Sequence, residues 1–214
     1  MKIIDISPYI EDEMITYPGD AQFQKTPICT IERSGCNMTK LILGTHTGSH
    51  IDAPSHFLSN GTPIDKVPLS AFIGKAQVIE VREKEITSEI LRQRMASGIK
   101  RLLFKTKNSA LMQKREFLPD YTYLTQDGAQ FLRKSGVKLV GIDYISIERF
   151  GTPDFSVHKT LFKAGICILE GIDLLNVSPG YYTLIALPLK LRSLDGSPVR
   201  AILIPNNMPI SLKE

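Results

Sequence analysis

The sequence predicts a single α/β domain with more strand than helix. Short apolar, β-branched runs bounded by turn-forming residues are typical of strands. Such runs cover residues 2–6, 28–32, 39–44, 76–82, 100–106, 138–143, 166–170, 181–187 and 199–204. This many strands predicts a large mixed sheet or a barrel-like core with flanking helices. The 214 residues fit one large or two small domains, and we take one domain over 1–214 as the default.

Three helices are predicted from their caps. Thr87 can cap a helix that runs to Ala96. A second helix follows Thr125 and stops at Gly136, and a third spans about residues 157–164. Alternation of strand and helix in the middle of the chain predicts parallel βαβ pairing there. The strand-rich ends favour antiparallel or mixed pairing.

Composition excludes several classes of protein. The net charge is +4, but basic residues are interspersed with acidic ones, which argues against nucleic acid or a membrane surface as partner. No apolar run approaches the ~20 residues that span a bilayer. Acidic residues 11–13 also interrupt the region where a signal peptide would be apolar, so we expect a cytoplasmic protein.

The cysteines do not predict a site. Cys29, Cys36 and Cys167 are odd in number and lack CxxC spacing, which argues against a disulfide framework and a thiolate zinc site. Cys167 lies among aliphatic residues, where buried packing is a better interpretation than a catalytic nucleophile.

Three of the four histidines cluster in eleven residues, within the stretch Thr45-His-Thr-Gly-Ser-His-Ile-Asp-Ala-Pro-Ser-His-Phe57. Gly48 and Pro54 disfavour a helix there. In an extended segment the even-numbered candidates share one face, and these are His46, His50, Asp52 and His56. A lone histidine is usually structural, whereas three with an aspartate on one face favour a metal site.

The side chains of His46 and His50 can bind one ion only if the chain bends between them. At ~3.3 Å per residue, His46 and His50 would be ~13 Å apart in a straight strand, too far to share one ion. Gly48 is the residue able to bend the chain between them. Two imidazoles and a carboxylate suit Zn²⁺ or Mn²⁺, and few protein ligands leave positions open for water.

His56, His158 and Glu170 are further candidates. His56 follows the candidate ligands on the same face of the segment and can act as general acid and base. The alternative is that it makes a structural hydrogen bond. Glu170 ends an apolar strand, where a buried carboxylate needs a partner. A metal, an arginine or a helix N-terminus would each serve, and the residues alone leave these open.

The whole pattern resembles the cyclase-like metal-dependent hydrolases, the family that includes the bacterial kynurenine formamidases. The similarity extends over essentially the whole chain and rests on residues 17–20, 46–57, 168–173 and 187–189 and on His158. It implies a swivelling β/β/α fold assembled as homodimers or homotetramers. It also implies that His46, His50 and Asp52 hold one metal ion, and that Asp52, His158 and Glu170 hold a second.

The resemblance implies a proton-shuttle role for His56 and a substrate-binding role for Tyr17. The kynurenine formamidases usually carry a tryptophan at the Tyr17 position, beside the aromatic ring of the substrate, and this chain has no tryptophan. A tyrosine can still stack, but the pocket will differ in size and polarity. Ser49 replaces a threonine and keeps its hydroxyl.

The expected function is therefore metal-dependent hydrolysis of an amide in a small aromatic substrate, most like the conversion of N-formylkynurenine to kynurenine and formate. One or two Zn²⁺ ions are the expected cofactor, with Mn²⁺ as an alternative. A hydrolase of cyclic amides such as isatin is the second hypothesis. A non-catalytic, metal-stabilised binding protein is a third.

Overall fold

A nine-stranded mixed sheet organises the chain in a computed structural model, which describes residues 2–206. The strands are β1 (Ile4–Asp5), β2 (Gln24–Cys29), β3 (Met38–Ile42), β4 (His50–Asp52), β5 (Ile73–Glu80), β6 (Glu85–Ile86), β7 (Arg101–Lys105), β8 (Tyr123–Leu124), β9 (Leu139–Ile142), β10 (Cys167–Glu170), β11 (Gly180–Ile185), β12 (Gly196–Pro198) and β13 (Ile202–Pro205). The α-helices are α1 (Ile31–Ser34), α2 (Ser88–Arg94), α3 (Asn108–Met112), α4 (Gln126–Ser135) and α5 (Ser156–Lys163). Short 3-10 turns cover Pro54–His56, Ile64–Lys66 and Leu69–Ala71.

The main sheet has the order β1-β13-β11-β5-β7-β9-β10-β4-β12 and curls into a half-barrel. Its centre, β5-β7-β9-β10, is parallel, and the strands on both sides of that centre are antiparallel. This confirms the expected mixed pairing, with crossover helices in the middle of the chain. Two small sheets, β2-β3 and β6-β8, lie outside the main sheet.

The core covers both faces of the central strands. One apolar cluster includes Phe72, Leu103 and Leu184, and the other packs helices α2, α4 and α5 onto the opposite face. Strands buried on both faces give continuous apolar runs, which is why the sequence identified them readily. Cys167 is fully buried in the first cluster, as expected.

The predicted caps are confirmed. The Thr87 hydroxyl oxygen accepts a hydrogen bond from the backbone N–H of Ile90, and Thr125 does the same for Gly128. Gly136 ends α4 in the left-handed conformation with φ +74°. No helix within residues 2–206 has both the length and the apolar character needed to cross a membrane.

Some predicted elements are wrong. The strand expected at 28–32 lies earlier, as β2, and a short helix, α1, follows it. Most residues of the β2–β3 hairpin are exposed on both faces, so an apolar pattern could not fix its register. The strand expected at 199–204 begins only at Ile202. Helix α3 and strands β4 and β12 were missed because they are short and rich in polar residues.

Candidate metal centre

The histidine segment bends at Gly48 before it enters the sheet. Gly48 has φ +66°, a left-handed conformation that glycine adopts without a steric penalty. After this bend, His50 and Asp52 lie in β4, which pairs antiparallel with β10. In that register Glu170 is opposite His50. The bend predicted at Gly48 is confirmed, and it delivers the segment to the carboxylate that ends β10.

Two imidazoles face the carboxylates of Asp52 and Glu170. Nε2 of His50 lies 3.3 Å from Asp52 Oδ1 and 3.6 Å from Glu170 Oε2. Nε2 of His158 lies 3.5 Å from Glu170 Oε1 and 3.9 Å from Asp52 Oδ2. Donors around a tetrahedral ion with bonds of ~2.1 Å are ~3.4 Å apart. These spacings between donor atoms therefore suit the coordination of metal ions.

The other nitrogen of each of these rings is held from behind. Nδ1 of His50 lies 2.8 Å from the carbonyl oxygen of Gly48, and Nδ1 of His158 lies 2.5 Å from Glu148 Oε2. Hydrogen bonds of this kind fix the tautomer and the ring orientation of histidine ligands. Both Nε2 atoms are thereby left free to face Asp52 and Glu170.

His46 completes the cluster from the other side of Asp52. Its Nδ1 lies 2.7 Å from Asp52 Oδ1, and its Nε2 lies 2.6 Å from Asp195 Oδ2. The rings of His46 and His50 are 5.1 Å apart, whereas those of His46 and His56 stack at 4.0 Å.

Among the described residues, two groups have donor atoms that all lie within 4.8 Å of one another, and both include Asp52. One adds His46 and His56, and the other adds His50 and Glu170. This grouping differs from the expected sets, because His56 lies as close to Asp52 and His46 as a ligand would. The membership of Asp52 in both groups fits the bridging role that the resemblance implied.

The carboxylates determine the protonation of the rings. Burial opposes the charged form of His46, but the charge of Asp52 and hydrogen bonds to its carboxylate neighbours raise the pKa to about 9. The same competition raises the pKa of His50 and of His158 to about 10. For His56, burial dominates and lowers the pKa, so this ring is neutral near pH 7.

The ionisation of Asp52 and Glu170 in turn depends on the positive charge around them. Burial opposes ionisation of Asp52 and Glu170, but the adjacent histidines outweigh it and lower the pKa of both. Two buried carboxylates this close need a cationic partner. Imidazole nitrogens and carboxylate oxygens are ligands of Zn²⁺ and Mn²⁺, and binding such an ion releases the ring protons. The donor set therefore fits a divalent metal.

The metal centre forms the floor of a cleft with an aromatic wall. Tyr17 lines the cleft. The centroid of its ring lies 5.7 Å from that of Phe117 and 5.9 Å from that of Phe150. Phe57 and Phe155, which also line it, stack at 4.5 Å. Burial, with the charge of Glu170 and other acids, raises the pKa of Tyr17, so its hydroxyl stays protonated.

Residues 4–149 match the model of the Cyclase family. This chain belongs to the Cyclase family.

Known proteins match this chain over nearly its full length. The chain is 40% identical to kynurenine formamidase from Bacillus cytotoxicus over 94% of this chain and 97% of that protein. A solved structure described as a predicted metal-dependent hydrolase from Bacillus stearothermophilus has a TM-score of 0.82 at 31% identity, covering 94% of this chain and 97% of that one. Isatin hydrolase A from Labrenzia aggregata has a TM-score of 0.82 at 24% identity, over 94% of this chain and 93% of that one. It therefore shares the fold.

Two carboxylates of this Cyclase-family chain were missed from the sequence. Glu148 is buried and accepts hydrogen bonds from the backbone N–H groups of Val157 and His158 as well as facing the His158 ring. It follows Ile145-Ser-Ile147, and a carboxylate next to apolar residues is the signal that identified Glu170. Asp195 precedes Gly196 in what reads as an ordinary turn, so its contact with His46 left no signal in the sequence.

Proposed function

We propose that this chain is a metal-dependent amidohydrolase that converts N-formylkynurenine to kynurenine and formate. The observation that carries this proposal is the convergence of His46, His50, His158, Asp52 and Glu170 at the floor of a cleft with an aromatic wall. Further support comes from the 40% identity to a kynurenine formamidase over nearly the full length of both chains.

His46, His50 and Asp52 would hold one divalent ion, and Asp52, His158 and Glu170 a second. Zn²⁺ is the metal we propose, with Mn²⁺ able to replace it. A bound ion of this kind lowers the pKa of water toward neutrality and polarises a carbonyl group.

The protein's own part in the reaction is orientation and proton transfer. Water adds to the formyl carbon, the C–N bond breaks, and the arylamine nitrogen must gain a proton as formate leaves. His56 is neutral near pH 7 because burial lowers its pKa, so it can accept the proton of the attacking water. The same ring then donates that proton to the departing nitrogen. The half-buried Tyr17 packs beside the aromatic ring of the substrate.

Hydrolysis of a cyclic amide such as isatin is the second candidate, since isatin hydrolases share this fold. Turnover of N-formylkynurenine and of isatin by the same zinc-loaded preparation separates the two. We expect kcat/KM to be higher for N-formylkynurenine. A higher value for isatin would reverse the assignment, and no hydrolysis of either would favour a binding protein.

The proposed enzyme acts in the cytoplasm as a homodimer or homotetramer. Support for the oligomer comes from exposed apolar residues on the β2–β3 hairpin, including Ile28, Met38 and Leu41 at 52–60% exposure. Several exposed apolar residues grouped on one hairpin are typical of a protein interface. Light scattering measures the molar mass in solution. We expect the mass of a dimer or tetramer for the wild type and for the control Leu69→Glu, which lies outside the hairpin, and a smaller mass for Leu41→Glu in the hairpin. A monomeric wild type would contradict the proposal.

A further inference from the structure

One guanidinium lies among the described side chains that line the cleft. Arg149 is the sole lysine or arginine of that lining within the described part of the chain, whereas Asp20, Asp52, Glu148 and Glu170 contribute carboxylates. Among the described residues of this lining, Arg149 is therefore the one that stays positively charged whether or not a metal ion is bound. An anionic group of a ligand that lies away from the metal-binding side chains would find a permanent positive partner in this guanidinium.

The guanidinium of Arg149 is exposed and unpaired. Among residues 2–206 no carboxylate oxygen lies within 4.0 Å of it, so the guanidinium is free to pair with a ligand. Its backbone is nevertheless fixed, because its carbonyl oxygen accepts hydrogen bonds from the N–H of Thr152 at 3.3 Å and from the Thr152 hydroxyl at 2.8 Å. The ordered backbone holds Arg149 at the cleft while its side chain remains free to bind a ligand.

The position of Arg149 joins the two functional parts of the cleft. Glu148, one residue earlier, holds the ring of His158, and Phe150, one residue later, contacts the ring of Tyr17. Consecutive Cα atoms are about 3.8 Å apart. The Arg149 side chain therefore begins between Glu148, which supports the metal centre, and Phe150, which belongs to the aromatic wall. A small aromatic substrate spanning both would bring a third group within reach of this side chain.

We infer that Arg149 binds a carboxylate on the substrate and selects anionic formamides of the amino-acid type. A guanidinium donates two parallel N–H bonds to a carboxylate, a geometry that lysine does not provide. N-formylkynurenine carries such a carboxylate at the end of its side chain. This inference rests on the proposed function and adds the group by which the substrate is recognised.

The kinetic test compares N-formylkynurenine with N-formylkynuramine, which has the same formamide and ring but no carboxylate. For the zinc-loaded Arg149→Met enzyme we expect the KM for N-formylkynurenine to rise about 10-fold or more, with kcat changed little. The KM for N-formylkynuramine should stay at the wild-type value. Arg149→Lys should recover part of the loss, and Arg133→Met, which alters an exposed arginine of α4, should match wild type. Equal effects on both substrates, or none, would overturn the inference.

A binding test separates failure of this inference from failure of the proposed function. Calorimetry of the zinc-loaded protein with kynurenine and with kynuramine requires no turnover. We expect wild type to bind kynurenine more tightly, and Arg149→Met to lose that preference. If wild type fails to hydrolyse N-formylkynurenine but shows this pattern, the proposed function fails and the inference stands. Equal affinities in wild type, or no binding of kynurenine, would overturn the inference itself.

Discussion

Nδ1 of His50 lies 2.8 Å from the carbonyl oxygen of Gly48, two residues earlier in the chain. The bend that brings the histidine segment into the sheet therefore also orients one of the rings it delivers. The backbone conformation of Gly48 and the geometry of the metal centre are linked through this contact.

Replacement of Gly48 by alanine should damage both stability and metal binding. A β-carbon at φ +66° would lie 3.0 Å from Ile10 Cγ1, and the left-handed conformation costs a non-glycine residue about 1–2 kcal/mol. We expect a loss of at least that size in the free energy of unfolding, with weaker Zn²⁺ affinity in a chelator competition. Gly98→Ala is the matched control, because Gly98 has φ +75° and open space around it. Metal affinity equal in both variants would contradict the link.

Replacement of Glu148 by glutamine should weaken metal binding without touching a ligand. The carboxylate accepts from two backbone N–H groups and faces His158 Nδ1, and an amide would set its own N–H against one of those donors. Loss of such a supporting group typically costs 10- to 100-fold in metal affinity or activity. Chelator competition measures this, with Glu116→Gln as an exposed control. An unchanged affinity would mean that His158 needs no orientation.

Replacement of His56 by alanine should abolish most turnover and leave the metal in place. Proton transfer by a positioned residue contributes typically 10²- to 10⁴-fold, so kcat should fall by about that factor. Metal content by mass spectrometry is the second measurement, because His56 lies near His46 and Asp52. Nearly full turnover would contradict the shuttle role, and loss of one bound ion would instead make His56 a ligand.

Asp127 should make stability depend on acidic pH. Its carboxylate accepts hydrogen bonds from the Thr125 hydroxyl and the Ser88 backbone N–H, which lower its pKa to about 2 from 3.8. A lowered folded-state pKa gives stability that is present above pH 3.8 and lost as the pH falls through about 2. Because the group is exposed, we expect Asp127→Asn to cost about 1 kcal/mol at pH 7 after solvent screening. Urea unfolding of the wild type and of Asp127→Asn, both freed of metal with a chelator, measures the difference in free energy of unfolding. We expect this difference to shrink below about pH 4. A difference that stays constant with pH would contradict the assignment.

The sequence predicted what short-range patterns encode. Even spacing from His46 to Asp52, with a glycine between the histidines, sufficed to expect a bent segment of candidate ligands. Glu148 and Asp195 escaped because their histidine partners are set by tertiary packing, and Asp195 is 149 residues from His46. Strand β4 was missed because it has only three residues and two of them, His50 and Asp52, are buried and polar, which reverses the apolar pattern used to recognise strands.

The most direct test of the central claim is turnover of N-formylkynurenine by chelated protein as Zn²⁺ is added back, with bound metal measured on the same samples. Activity should be absent without metal and should rise in proportion to bound Zn²⁺, and Asp52→Asn should bind less metal and stay nearly inactive. Full turnover by wild-type protein shown to contain no divalent metal would contradict the account.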